Sequence, residues 1–144
     1  MAKNQPKILL VEDEPDIVEM YKMVFRENGF DFDSALTGNE AKKKIKEISD
    51  GKKTKPAFIL LDLVLPDITG IDVLKEIRNN EATKDILVAI LSNYTSEKAK
   101  ESSQDLKVDE YILKVDITPQ ELVEKIKKIL NFSDEDKSIS SGKS

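Results

Sequence analysis

The sequence predicts an α/β fold: one doubly wound, five-stranded parallel sheet with helices on both faces. Three observations lead there. Short, unbroken apolar runs recur along the chain, and a strand that is apolar at every position is buried on both faces. Segments with apolar residues at helical spacing alternate with those runs. The chain has 144 residues, enough for one hydrophobic core and too few for two ordinary ones. Right-handed crossovers then leave only a few doubly wound topologies.

The first strand is Ile8-Leu9-Leu10-Val11, ending in Glu12-Asp13. Pro15 stands where the first helical turn begins, and Ile17, Val18, Met20, Tyr21, Val24 and Phe25 form one stripe. Asn28-Gly29 closes that helix. Phe30, Phe32 and Ala35-Leu36 mark a weaker second strand, Thr37-Gly38-Asn39 a turn, and Ala41, Ile45 and Ile48 a highly basic second helix. The charged stretch Asp50 to Pro56 is a loop, and Ala57 to Leu61 is the third strand, ending at Asp62. Pro66 and Gly70 bracket the next loop before a helix through Ile71, Val73, Leu74 and Ile77. Ile86 to Leu91 is the fourth strand, ending at Ser92-Asn93. A helix over 96–104 has only Ala99 as an apolar anchor, so it is expected to be the most mobile. Val108 and Tyr111-Ile112-Leu113 make the fifth strand, ending at Lys114. Thr118-Pro119-Gln120-Glu121 has the form of a capping box opening a fifth helix through Leu130. The expected organisation is a flexible start at 1–6, one domain at 7–131 and a disordered tail at 132–144.

Composition removes several function classes. With 23 basic and 28 acidic residues the net charge is −5, so the electrostatic footprint of a nucleic-acid binder is missing. No cysteine and no histidine are present, which removes disulfides, thiolate chemistry, histidine triads and most zinc sites. No apolar run approaches the ~20 residues of a membrane-spanning helix, and Met1 to Lys7 lacks the apolar centre of a signal peptide. A cytoplasmic location is the expectation.

In an open α/β sheet, ligands bind beyond the carboxyl ends of the strands. Those ends carry Glu12 and Asp13, then Asp62, then Ser92, then Lys114. Three carboxylates in one crevice repel each other unless positive charge is supplied. Lys114 supplies one unit, and a divalent cation would balance the rest. Oxygen ligands without His or Cys favour Mg²⁺, or Mn²⁺, over zinc. A carboxylate beside such an ion can attack phosphorus, with Lys114 and the Ser92 hydroxyl on the phosphoryl oxygens. Singly, each residue has a plainer role. Glu12 and Asp13 suit a helix N-terminus, Lys114 can snorkel from a strand end, Ser92 is ordinary loop chemistry, and Tyr111 is a core or rim aromatic. Asp62, set between Phe58-Ile59-Leu60-Leu61 and Leu63-Val64-Leu65, is the member hardest to explain without a partner.

Over about residues 7 to 131 the chain resembles the receiver domain of bacterial two-component response regulators. The residues that carry this are Leu9 to Pro15, with its acidic pair, and Asp62 with Pro66 and Gly70 four and eight residues on. Ile90-Leu91-Ser92-Asn93 and Asp109-Glu110-Tyr111-Ile112-Leu113-Lys114 complete the set. The resemblance implies the flavodoxin-like strand order 2-1-3-4-5. It implies that Asp62 accepts a phosphoryl group from a sensor histidine kinase or phosphotransfer protein. It implies that Asp13, Asp62 and the Val64 backbone carbonyl bind Mg²⁺, with Glu12 acting through a metal-bound water. Ser92 and Tyr111 would be the switch residues, and Lys114 would pair with the phosphoryl oxygens. The face of the fourth helix, fifth strand and fifth helix would then bind an unidentified protein target. The protein is expected to stand alone, as a monomer or a phosphorylation-dependent homodimer, without nucleic-acid or membrane contact. Its only catalysis would be its own phosphorylation and dephosphorylation. Val64 and the non-acidic Tyr94 flanking Asp62 imply a long-lived acyl phosphate.

Three residues depart from the family pattern. Glu12 stands for the commoner Asp. Val115 stands where Pro usually follows the lysine, so the Lys114–Val115 bond is expected either trans with a reshaped loop or cis at ~3–4 kcal/mol. Lys107 stands where Gly is usual, so a left-handed backbone there would be strained. Val115 and Lys107 motivate an alternative: a receiver-like adaptor that works without phosphorylation. A flavodoxin-like cofactor binder would need a Ser/Thr/Gly phosphate loop where Glu12-Asp13-Glu14 stands. An Asp-x-Asp phosphatase is excluded, since neither Asp13 nor Asp62 has an Asp two residues on.

Overall fold

The computed structural model describes residues 5–93 and 106–131. In chain order the elements are β1 (Lys7–Val11), α1 (Pro15–Glu27), β2 (Asp31–Ala35), α2 (Gly38–Ser49), β3 (Phe58–Leu61), α3 (Gly70–Arg78), β4 (Leu87–Ser92), β5 (Glu110–Leu113), a 3₁₀ turn (Lys114–Asp116) and α4 (Pro119–Leu130). The helix expected over 96–104, Tyr94 and the tail at 132–144 lie outside the described residues, as do 1–4 of the N-terminal segment. The five strands are all parallel in the order β2-β1-β3-β4-β5, so the order reverses beside β1. No described helix is long and apolar enough to cross a membrane.

Strand alternation divides the core into two layers. Ile8 and Leu10 face one way with Phe58, Leu60, Ala89, Leu91 and Ile112, and there they meet α1 and α4 through Val18, Tyr21, Phe25, Leu122, Val123 and Ile126. Leu9 and Val11 face the other way with Ile59, Leu61 and Val88, against α2 and α3. The aromatic side chains segregate: Phe25 packs edge-on to Phe30 and stacks on Phe32, all in the α1/α4 layer.

Helix ends follow local chemistry. Thr118 accepts from the Glu121 amide while the Glu121 carboxylate accepts from Thr118 N–H, the expected capping box. Thr69 and Asp72 form a second one at α3. Gly29, at φ 90°, lets the chain leave α1 in the left-handed region. Strand bounds shift by a residue at β1, β2 and β3, and three further boundaries differ from the sequence-based expectation for a local reason. Gly38 and Asn39 are not a turn but the first residues of α2, because Thr37 caps the Glu40 amide. β4 begins at Leu87 and runs into Ser92, because Ile86 closes a turn onto the Thr83 carbonyl. β5 begins only at Glu110, because the Asp109 carboxylate and amide both engage Val88 ahead of it.

The expected strain at Lys107 does not occur, since positive φ among the described residues is confined to Gly29, Gly51 and Asn131. Arg78 holds that loop instead. Its Nε and Nη2 donate to the Lys107 carbonyl at 3.0 and 2.9 Å, and its Nη1 donates to the carbonyls of Lys84 and Ile86.

Candidate functional site

The carboxyl ends of β1, β3 and β5 converge, and the ladder itself sets the convergence. Val11 pairs with Leu61, and the hydrogen bonds continue one residue further, from Glu12 N–H to Ala35 O and from Asp62 N–H to Val11 O. Glu12 and Asp62 therefore leave the sheet side by side. Both continue the parity of Ile8, Leu10, Phe58 and Leu60, on the α1/α4 side. Glu12 is 1% exposed and Asp62 7%, whereas Asp13 faces solvent. One oxygen from each of the three carboxylates lies within 4.8 Å of the others.

Lys114 enters from the far edge of the sheet. Its Nζ donates to Glu12 Oε1 at 2.6 Å and to Asp62 Oδ2 at 3.0 Å. Asp62 Oδ1 accepts the Val64 amide at 3.0 Å, and Glu12 Oε2 accepts the Glu14 amide at 3.2 Å. The Lys114–Val115 bond is trans, and the 3₁₀ turn over Lys114–Asp116 is the reshaped loop that replaces a cis-proline bend. Lys114 reaches both carboxylates without the proline.

The local field follows from these contacts. Burial raises the Glu12 carboxyl above its ordinary range, although the Lys114 hydrogen bond opposes this. Burial alone would lower Lys114, but the hydrogen bonds and charges of Glu12 and Asp62 outweigh it and raise the ammonium's pKa. Tyr21, on α1, lies in the same field. Burial pushes its phenol up, with Lys114 opposing and Glu12 reinforcing. Sequence reasoning placed Tyr21 only in the helical stripe, and nothing local marks its proximity to the site.

Hard oxygen donors, three negative charges and one ammonium leave two units for a dication. The Glu12, Asp13 and Asp62 carboxylates therefore fit a hard dication such as Mg²⁺ in charge and in donor type. Val64 is 55% exposed on the rim of this crevice. Ser92 ends β4, buried and paired in register with Leu113, and Tyr111 is half-buried on β5 opposite Ile90.

A family model for the response regulator receiver domain matches residues 8–127. The chain belongs to that family. Receiver domains of two-component systems interact with histidine kinases or phosphotransfer proteins. The receiver's relatives include the alkaline phosphatase synthesis regulator PhoP of Bacillus subtilis, 34% identical over 128 residues, which are 89% of this chain and 50% of that protein. They also include the phosphate regulon regulator PhoB of Escherichia coli, 34% identical over 130 residues, 86% of this chain and 51% of that protein. The chain thus spans about half the length of these curated relatives. Among solved structures, a CheY-like receiver from Methanospirillum hungatei superposes with a TM-score of 0.74 at 26% identity, over 89% of this chain and 95% of that one. The Thermotoga maritima regulator TrrA, solved in complex with Mg²⁺ and BeF, gives 0.71 at 34% identity, over 87% and 99%.

Proposed function

We propose that this receiver accepts one phosphoryl group on Asp62 from the phosphohistidine of a sensor kinase or phosphotransfer protein. The observation that carries the reading is the ammonium of Lys114 bridging Glu12 and Asp62, with the Asp13 carboxylate beside them. The Asp62 carboxylate attacks phosphorus, the P–N bond to the donor histidine breaks, and the imidazole leaves. Asp13, Asp62 and the Val64 carbonyl would hold Mg²⁺, with Glu12 supporting the site from behind them. The bound ion supplies charge neutralisation for the incoming phosphoryl oxygens. Lys114 exchanges one carboxylate partner for a phosphoryl oxygen, and the Ser92 hydroxyl takes another.

Ser92 and Lys114 leave β4 and β5 as neighbours, so drawing both toward Asp62 pulls on the edge that carries Tyr111. That edge, with α4, is the face offered to a protein target. The TrrA complex supports the chemistry by likeness. No observation favours the phosphorylation-independent adaptor, since Val115 leaves Lys114 in contact with both acids. Intact-mass spectrometry after acetyl phosphate and Mg²⁺ tests the proposal. One phosphoryl group is expected on the native chain and none on Asp62→Asn; undiminished uptake by the variant overturns the assignment.

A further inference from the structure

The loop between β3 and α3 is tied down at both ends, and only one tie belongs to the acceptor residue. At the near end the Gly70 amide donates to Leu63 O at 2.9 Å, and Gly70 lies so close that a Cβ there would stand 2.2 Å from Asp62 O. At the far end stands Asp67, an exposed acid absent from the constellation at the strand ends. Its Oδ1 accepts the Gly38 amide at 2.8 Å and its own loop's Ile68 amide at 2.9 Å, and its Oδ2 accepts the Asn39 amide at 2.8 Å. Gly38 and Asn39 open α2, where amides have no partner within the helix. The approach is close: a Cβ on Gly38 would stand 2.2 Å from Ile68 Cγ1 and 3.2 Å from Asp67 Oδ1. One side chain thus spans two amides of α2 and one of its own loop, and Val64 lies between the two ties.

We propose that Asp67 is a positioning residue for the acceptor site, clamping the Leu63–Thr69 loop onto α2 so that the Val64 carbonyl is held ready as a cation ligand. It touches neither the cation nor the phosphoryl group. Without the clamp the loop keeps its Gly70 end and the Val64 amide on Asp62 Oδ1, but the Leu65–Thr69 stretch loses its tie to α2, and the Val64 carbonyl has more freedom to lose each time a cation binds. The proposal rests on the proposed function, through Val64 as a ligand.

The test is Mn²⁺ binding to the whole protein, followed by electron paramagnetic resonance, together with amide exchange in the metal-free state. Asp67→Ala should weaken Mn²⁺ binding roughly tenfold, the usual scale for a residue supporting a metal ligand. It should also speed exchange across Leu63–Ile68. Gly38→Ala, which displaces Ile68 while keeping the Asp67 carboxylate, should act in the same direction. Thr37→Ala loses the cap on the Glu40 amide but keeps the Asp67 carboxylate and its Gly38 and Asn39 partners; its Mn²⁺ affinity should stay native. Native affinity in Asp67→Ala overturns the clamp, and so does an equal loss in Thr37→Ala. A native protein that binds no Mn²⁺ instead overturns the metal reading of Asp13, Asp62 and Val64, and the clamp with it. Asp67 is exposed, so Asp67→Ala keeps the test open if Gly38→Ala fails to fold.

Discussion

Two loops meet at Asp62 and are held by opposite means. The β3–α3 loop is fixed at two points away from the Lys114 charge: Gly70 lies against Asp62 and Leu63, and the Asp67 carboxylate binds the start of α2. The β5–α4 loop is a short 3₁₀ turn closed by a long bond from Ile117 N–H to Lys114 O at 3.5 Å, and its Val115 is 76% exposed. Its firm tie to the site is the Lys114 side chain. The acceptor is therefore preorganised by packing, while the ammonium facing it is placed by the charges it serves. A change at the Asp62 carboxylate reaches the first loop at the Val64 amide, while the Gly70 and Asp67 ties stand apart from it, and reaches the second loop through the Lys114 ammonium.

The strongest way to break this contrast is Gly70→Ala. The new methyl meets backbone rather than a flexible side chain, so unfolding in urea should show a loss of about 3 kcal/mol. A loss below about 1 kcal/mol would mean that the first loop yields as easily as the second.

Lys114→Met probes the other anchor. It leaves Glu12 buried beside Asp62, and it should cost about 2 kcal/mol at neutral pH, less than for a fully buried pair. The pH dependence has a definite sign. The folded pKa of Lys114 is raised above its ordinary 10.5, so the stability from its charge is complete below that value and is lost as pH rises through the folded one. The gap in urea midpoint between the native chain and the variant should therefore narrow between about pH 8 and about pH 11. A gap that stays constant would show that the charge is not what holds the loop.

The smallest effect is expected at Val115. Val115→Ala should change stability by less than about 0.5 kcal/mol, because the side chain is in water. A loss above 1 kcal/mol would reveal an anchor in the second loop that its contacts do not suggest.

The sheet and the cluster of Glu12, Asp13, Asp62 and Lys114 were legible because β1, β3 and β5 each end where an apolar run meets a charge, while the strand order followed from the family resemblance. The α4 capping box was legible because Thr118, Pro119 and Glu121 are local. What could not be read depends on contacts across the fold. Asp67 follows Pro66 like any turn acid, and its partners lie 28 and 29 residues earlier, on another helix. Arg78 resembles a helix-ending cation, and only the folded chain brings it to the Lys107 carbonyl 29 residues on. The geometry after Lys114 stayed open in the sequence because Val115 departs from the family's proline, and the bond takes the trans form that a non-proline residue prefers.

Tyr21 gives the site an optical signal of its own. The chain contains no tryptophan and three tyrosines, so its near-ultraviolet emission is phenolic. Tyr21 is 4% exposed and feels the opposed charges of Lys114 and Glu12. Any event that draws that ammonium away changes the electric environment of a fluorophore the chain already carries, so occupancy can be followed without a label.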